Sequence, residues 1–151
     1  MQTTIPQFEE PRMSLKDVSR GAYRAMIALD DAIDFDPTLS ELVRLRASIL
    51  NGCAYCVDMH AKDARTGGET EERLYAVSTW QESPLFDERE RAALALADAV
   101  TLVADGHVPK DIYDAAADQF PEDELAQLIW RIVAINAWNR VAVTTRMLPG
   151  T

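Results

Sequence analysis

The chain has 151 residues, of which 48% are hydrophobic and 26% charged, enough for one domain with its own core, and residues 1–151 read as a single domain. Its net charge is −10. The basic residues, such as Arg44, Arg46, Lys62 and Arg65, are scattered among acids. The clustered cations that hold nucleic acid or an anionic membrane surface are therefore not expected. No apolar run approaches the roughly 20 residues of a membrane span. The opening stretch MQTTIPQFEEPRMS has no basic segment followed by an apolar one, so no signal peptide is expected and the cytoplasm is the expected compartment.

Taken in chain order, residues 1–13 with Pro6 and Pro11 read as an extended arm that could lie on a neighbouring subunit. Ser14, with Asp17 in the first turn, caps a helix through Leu15, Val18, Ala22, Met26 and Leu29 at helical spacing. Asp36-Pro37 restarts the chain, and Leu39, Leu42, Val43, Leu45, Ile49 and Leu50 form the next apolar stripe, stopped by Asn51-Gly52. A third helix is expected from about Cys53 to Arg65, ended by Gly67-Gly68. Thr70 caps a segment to about Trp80. Asp87, with Glu90 three residues on, caps a long helix through Ala92, Leu94, Leu96, Val100 and Val103. Pro109 opens a short helix to about Gln119, and Pro121 opens the last long one through Leu125, Leu128, Ile129, Ile132, Val133 and Ile135. No segment alternates as a strand would. The expected fold is all-α, with six or seven helices.

The two cysteines of the chain stand three residues apart, in Asn51-Gly-Cys-Ala-Tyr-Cys-Val-Asp-Met-His60. A disulfide closing so short a loop removes little unfolded-state entropy, which argues against a structural staple. In a reducing compartment such a pair is more often catalytic or metal-binding. Cys53 and Cys56 open a helix, where free N–H groups and the helix dipole favour thiolate. Their spacing puts both sulfurs on one face, close enough to bond. His60, four residues after Cys56, lies on that face and can take a thiol proton. The helices flanking Asn51-Gly52 should form an antiparallel hairpin. Glu41 is about ten residues before that turn and His60 about eight after it, so a rise of about 1.5 Å per residue sets them at similar heights. Glu41 could then orient His60 or relay its proton. Taken alone, Glu41 could equally favour its helix dipole, and His60 could be an ordinary core or surface histidine.

Zinc is the chemical rival: Cys53, Cys56, His60 and either Glu41 or His107 would make four ligands. A structural zinc site usually adds a second pair with its own short spacing, and His107 stands apart in an Asp-Gly-His turn. No metal and no cofactor is therefore expected. A thioredoxin-like domain is disfavoured as well, because its Cys-x-x-Cys follows a strand and the segment from Leu39 to Leu50 is helical in period.

Glu41, eleven residues, Cys53-Ala-Tyr-Cys56, three residues and His60 resemble the signature of the alkylhydroperoxidase AhpD-like family, within the carboxymuconolactone decarboxylase superfamily. The resemblance runs from about Ser40 to Arg140 and includes Phe86 to Ala97 and Ile135-Asn-Ala-Trp-Asn-Arg140. It implies an all-helical homo-oligomer, a trimer or hexamer, that reduces hydroperoxides by cysteine chemistry without metal, haem or flavin. It also implies a peroxidatic Cys56, a resolving Cys53, and a Glu41/His60 proton relay. The best-studied members carry histidine just before the second cysteine, where this chain has Tyr55. Decarboxylases of the superfamily generally lack the dithiol.

Helix-end electrostatics would favour Cys53 as the more acidic thiol, whereas the base within reach, His60, favours Cys56. The expected cycle is thiolate attack on the peroxide, a sulfenic acid, a Cys53–Cys56 disulfide and reduction by an external dithiol or a protein carrying one. Two other readings stand beside it: a general disulfide oxidoreductase, and a non-enzymatic redox-sensing helical module. Asn136, Asn139 and Arg140 are polar in an apolar helix, and would bond either near the site or between helices. Trp80, Trp130 and Trp138 read as core or interface residues.

Overall fold

The computed structural model describes residues 8–150. Eight α-helices and one 3₁₀ segment make up its regular structure: α1 (Leu15–Val18), α2 (Arg20–Ala32), α3 (Pro37–Leu50), α4 (Ala54–Thr66), α5 (Glu71–Ala76), the 3₁₀ turn Val77–Glu82, α6 (Glu88–Thr101), α7 (Lys110–Gln119) and α8 (Glu122–Thr145). No strand occurs among the described residues. None of their helices is long and apolar enough to cross a membrane.

Side chains start most of these helices. Asp36 accepts from Leu39 N at 2.9 Å and Thr70 from Arg73 N at 3.2 Å. Asp87 and Glu90 form a reciprocal capping box at 2.8 and 3.0 Å. The long α8 stops where Arg146 turns left-handed, at φ 57°.

The organising element is α3, which packs against α4, α6 and α8. Leu39, Leu42, Val43 and Leu45 of α3 meet Leu94 and Leu96 of α6, Phe120, and Leu128 and Ile132 of α8 in the main core. Because α3 is surrounded, it also buries Ser40, Arg46 and Ser48. Buried polar groups need partners. Arg46 binds Asp98 of α6 through Nε (2.6 Å) and Nη2 (3.1 Å), and gives Nη1 to the Ser78 carbonyl (2.8 Å).

The helix count exceeds the expected six or seven, for a local reason. The first expected helix, from Ser14 through Leu29, breaks at Ser19 (φ −132°, ψ 60°) into α1 and α2. The Ser19 hydroxyl donates to the Leu15 carbonyl at 2.7 Å, a side-chain bond that competes with continued helix. The segment expected to stay helical to Trp80 leaves α-geometry after Ala76. Arg46 and Arg91 take the carbonyls of Ser78, Trp80 and Gln81, which a longer helix would need for itself. The helix expected to pass Val103 ends at Thr101.

Residues 1–7 of the expected arm lie outside the described residues. The rest, Phe8 to Met13, is non-helical and exposed. It is tied to the end of α8 by Arg12, whose backbone N–H reaches the Thr145 carbonyl at 2.9 Å and whose Nη1 reaches that of Thr144 at 3.2 Å.

Candidate functional site

The turn between α3 and α4 sets the site. Gly52 adopts φ 65°, a conformation that suits glycine. Asn51 spreads its two amide hydrogens between Asn136 Oδ1 (2.9 Å) and Asn139 Oδ1 (2.8 Å) of α8. Asn139 in turn donates to Ser48 Oγ at 3.0 Å, and the Ser48 carbonyl accepts from Cys53 N at 3.0 Å. The residues bracketing Cys53 are thus pinned to both α3 and α8. Arg140 donates to the Asn136 carbonyl (3.1 Å) and side chain (3.2 Å) from the exposed side. Asn136 and Asn139 therefore bond at the turn that presents the cysteines.

Cys53 caps α4, its sulfur accepting from Cys56 N at 3.3 Å. It is joined to Cys56 by a disulfide, with Cα atoms 5.3 Å apart. Each cysteine is 2% exposed. One turn further along α4, His60 is buried and meets Glu41 of α3 across the hairpin, Nδ1 to Oε2 at 3.0 Å. The hairpin thus brings Glu41, His60, Cys56 and Cys53 onto facing surfaces of two helices.

Arg44 and Asp63 extend the group beyond what sequence reasoning named. Arg44 Nη1 holds Glu41 Oε1 at 2.7 Å, and its Nη2 reaches Asp30 of α2 at 3.3 Å. Arg131 of α8 binds the same Asp30 at 3.0 Å. Asp63, one turn past His60, has its carboxylate within 4.8 Å of the ligating atoms of Glu41 and His60. Only the spacings Glu41-x-x-Arg44 and His60-x-x-Asp63 hinted at these neighbours.

Burial works to raise the Glu41 carboxyl. The hydrogen bond from His60 and the charges of His60 and Arg44 outweigh it, so Glu41 is held below its ordinary value. When the ring is neutral, a bond from its Nδ1–H to an ionised Glu41 leaves Nε2 as the basic nitrogen.

A cavity of about 210 Å³ lies beside the dithiol. Cys56 and His60 line it together with Tyr23, Tyr55, Met59 and Trp138, whereas Cys53 does not. Tyr23 and Trp138 meet edge to face at 5.4 Å. Trp138 is thus part of the cavity wall, while Trp80 is buried and donates to Asp98 at 3.1 Å. A second cleft, of about 410 Å³, is lined by Glu41, Ser40, Arg44, Asp63 and Arg131 but not by His60. His107 stands in the turn after α6, at φ 56°. Among the described residues Glu41, His60 and Asp63 form the cluster of metal-ligating type, and His107 is not in it.

An all-helical fold with a Cys-x-x-Cys helix hairpin and an acid–histidine pair defines a helical dithiol protein. The carboxymuconolactone decarboxylase family matches residues 20–99, more than half of the chain. The chain belongs to this family, as an AhpD-like member. It is 40% identical to the uncharacterized protein YdfG of Bacillus subtilis, over 70% of this chain and 72% of that one. The fold superposes with a TM-score of 0.91, at 37% identity, on ATU0492 of Agrobacterium tumefaciens, covering 94% of this chain and 99% of that one. ATU0492 is itself of unknown function, assigned provisionally to antioxidant defence as AhpD. The debrominase Bmp8 shares the fold at a TM-score of 0.76 and 23% identity, over 90% of this chain and 73% of that one.

Proposed function

We propose that the chain, a single domain over residues 1–151, is a thiol-dependent peroxidase that reduces hydroperoxides through a Cys53/Cys56 cycle with a Glu41/His60 relay. The observation that carries this reading is the His60–Glu41 hydrogen bond of 3.0 Å beside a cavity that Cys56 and His60 line and Cys53 does not.

In the reduced enzyme His60 Nε2 takes the Cys56 proton, and ionised Glu41 steadies the imidazolium through Nδ1. The thiolate attacks a peroxide oxygen and the O–O bond breaks. The alcohol leaves with the proton returned by His60, and Cys56 becomes a sulfenic acid. The Cys53 thiol attacks that sulfur, an S–S bond forms and water leaves. An external dithiol, or a protein carrying one, reduces the disulfide and completes the cycle. The AhpD-like resemblance further supports a homo-oligomer, a trimer or hexamer, acting in the cytoplasm.

The cavity of about 210 Å³ that Cys56 lines gives a small hydroperoxide a place beside that sulfur; a general disulfide oxidoreductase is the rival to this peroxidase reading. Peroxide consumption with a dithiol reductant tests it. Turnover should vanish in Cys56→Ser, and Cys53→Ser should accumulate a trappable sulfenic acid at residue 56. Trapping at residue 53 in Cys56→Ser, with none at 56 in Cys53→Ser, would reverse the roles of the two cysteines. A faster rate on a disulfide substrate than on any hydroperoxide would favour the oxidoreductase. A change of oligomer size between reduced and oxidised protein, without turnover, would favour a redox sensor.

A further inference from the structure

The Glu41–His60 pair carries one neighbour the peroxidase reading does not use. Asp63 lies one helical turn past His60, with its carboxylate within 4.8 Å of both Glu41 and His60. It makes no ion pair among the described residues, although Lys62 and Arg65 on the same helix each hold an acid of their own. The two guanidiniums lining this cleft are already engaged. Arg131 binds Asp30 at 3.0 Å, and Arg44 divides itself between Asp30 and Glu41 Oε1. Glu41 Oε2 is left facing His60. Independently, Ser40 lines the same cleft, is 3% exposed, and its buried hydroxyl has no hydrogen-bond partner among the described residues. A buried hydroxyl without a partner is costly unless something in the cleft meets it.

We propose that Glu41, His60 and Asp63 form a binding site for a divalent transition cation of the Zn²⁺ type, which switches the dithiol off. One imidazole nitrogen and two carboxylate oxygens are a donor set that suits zinc, at bond lengths of about 2.0–2.2 Å. Glu41 Oε2 and His60 Nδ1, 3.0 Å apart, already stand at the separation of two ligands on one ion, and Asp63 completes the set by a side-chain rotation. The fourth position is open to a water from the cleft. The consequence for the thiol follows from the tautomer. A cation on Nδ1 displaces the proton shared with Glu41, and the neutral ring then carries its hydrogen on Nε2. His60 changes from a base into a donor, and Cys56 loses its proton acceptor with no net proton lost from the ring. The binding itself does not depend on peroxide being the substrate. Its effect on Cys56 rests on the relay proposed above.

Reduced cysteines bind zinc themselves, so the binding test uses the oxidised protein, in which the disulfide withholds both sulfurs. Calorimetric titration with Zn²⁺ should show one ion per chain, and Co²⁺ in its place should give d–d absorption without a thiolate charge-transfer band. The Cys53→Ser/Cys56→Ser protein should bind Zn²⁺ as the oxidised protein does. Asp63→Asn, a change at an exposed position, and Glu41→Gln should each weaken binding by about tenfold or more. Absence of one-to-one binding to the oxidised protein, or equal binding by Asp63→Asn, overturns the site. The switch is read without peroxide, from alkylation of Cys56 by iodoacetamide in the Cys53→Ser protein. At a Zn²⁺ concentration about five times its dissociation constant for the Cys53→Ser protein, alkylation should slow by about fourfold, and by less than about twofold when Asp63→Asn is added, each measured against its own zinc-free rate. Equal slowing in the two proteins places the metal on the thiol and overturns the switch.

Discussion

Helix α3 carries two buried acid–base pairs that look alike. His60 and Glu41 are 8% and 19% exposed in their side chains, and Arg46 and Asp98 are also 8% and 19% exposed. Their contacts are 3.0 and 2.6 Å. What separates them is the surroundings. Asp98 accepts from Arg46 Nε and Nη2, Trp80 Nε1 and Gln81 Nε2, so its oxygens are saturated. Neither Arg46 nor Asp98 lines the Cys56 cavity or the cleft beside Glu41. His60 instead lines a cavity together with Cys56, and Glu41 lines a cleft together with Asp63, whose carboxylate makes no ion pair among the described residues. Burial and distance alone cannot tell a strut from a relay, but unspent hydrogen-bonding capacity beside open volume can.

The comparison can be broken by substitution. The largest expected effect is at the thiol: Cys56→Ser should remove peroxide turnover to background in a coupled dithiol assay while the thermal midpoint of the reduced protein moves little. Next, His60→Ala should lower the turnover rate by roughly 10²–10⁴-fold, the usual contribution of a positioned base. Its rate should also lose the pH dependence that a working imidazole imposes.

The other pair should respond in stability. Asp98→Ala strands the Arg46 guanidinium in the core, at a cost of about 3–5 kcal/mol in urea unfolding. Turnover per folded molecule should persist, and a fall in turnover as steep as that of His60→Ala would end the distinction between the two pairs. Asn139→Ala should cost about 1–3 kcal/mol, because it leaves the Asn51 and Ser48 groups short of partners.

The smallest effect concerns acid. The Glu41 carboxyl is depressed in the folded state from its usual 4.5. Its contribution to stability is therefore complete above that value and is lost as pH falls through the folded value. Urea midpoints of wild type and Glu41→Gln should differ at neutral pH and converge in acid below 4.5. A difference that is constant with pH would mean that Glu41 acts by packing.

Much of this was legible in the chain itself. Caps at Asp36, Thr70 and Asp87 act within three residues, so their helices could be read locally. The breaks at Ser19 and after Ala76 could not be read with the same ease. The first depends on a hydroxyl choosing its own helix's carbonyl, and the second on Arg46 and Arg91 drawing carbonyls out of a helix from elsewhere in the fold. The facing of Glu41 and His60 followed from counting residues about a two-residue turn. Arg44 and Asp63 were missed because a single charge one turn away from a site residue looks like any solvated helix charge.

The residue pattern by itself determined the all-helical class, the α3–α4 hairpin and the presence of a Cys-x-x-Cys pair at a helix start, because each follows from contacts between near neighbours. The tertiary structure alone decided which cysteine faces a cavity and which polar groups beside Glu41 lack a partner among the described residues. It alone showed that Asn51 is held by Asn136 and Asn139, 85 and 88 residues away. Those features arise where α8 and α2 close over the hairpin, and no local spacing in the chain encodes how two distant helix faces meet.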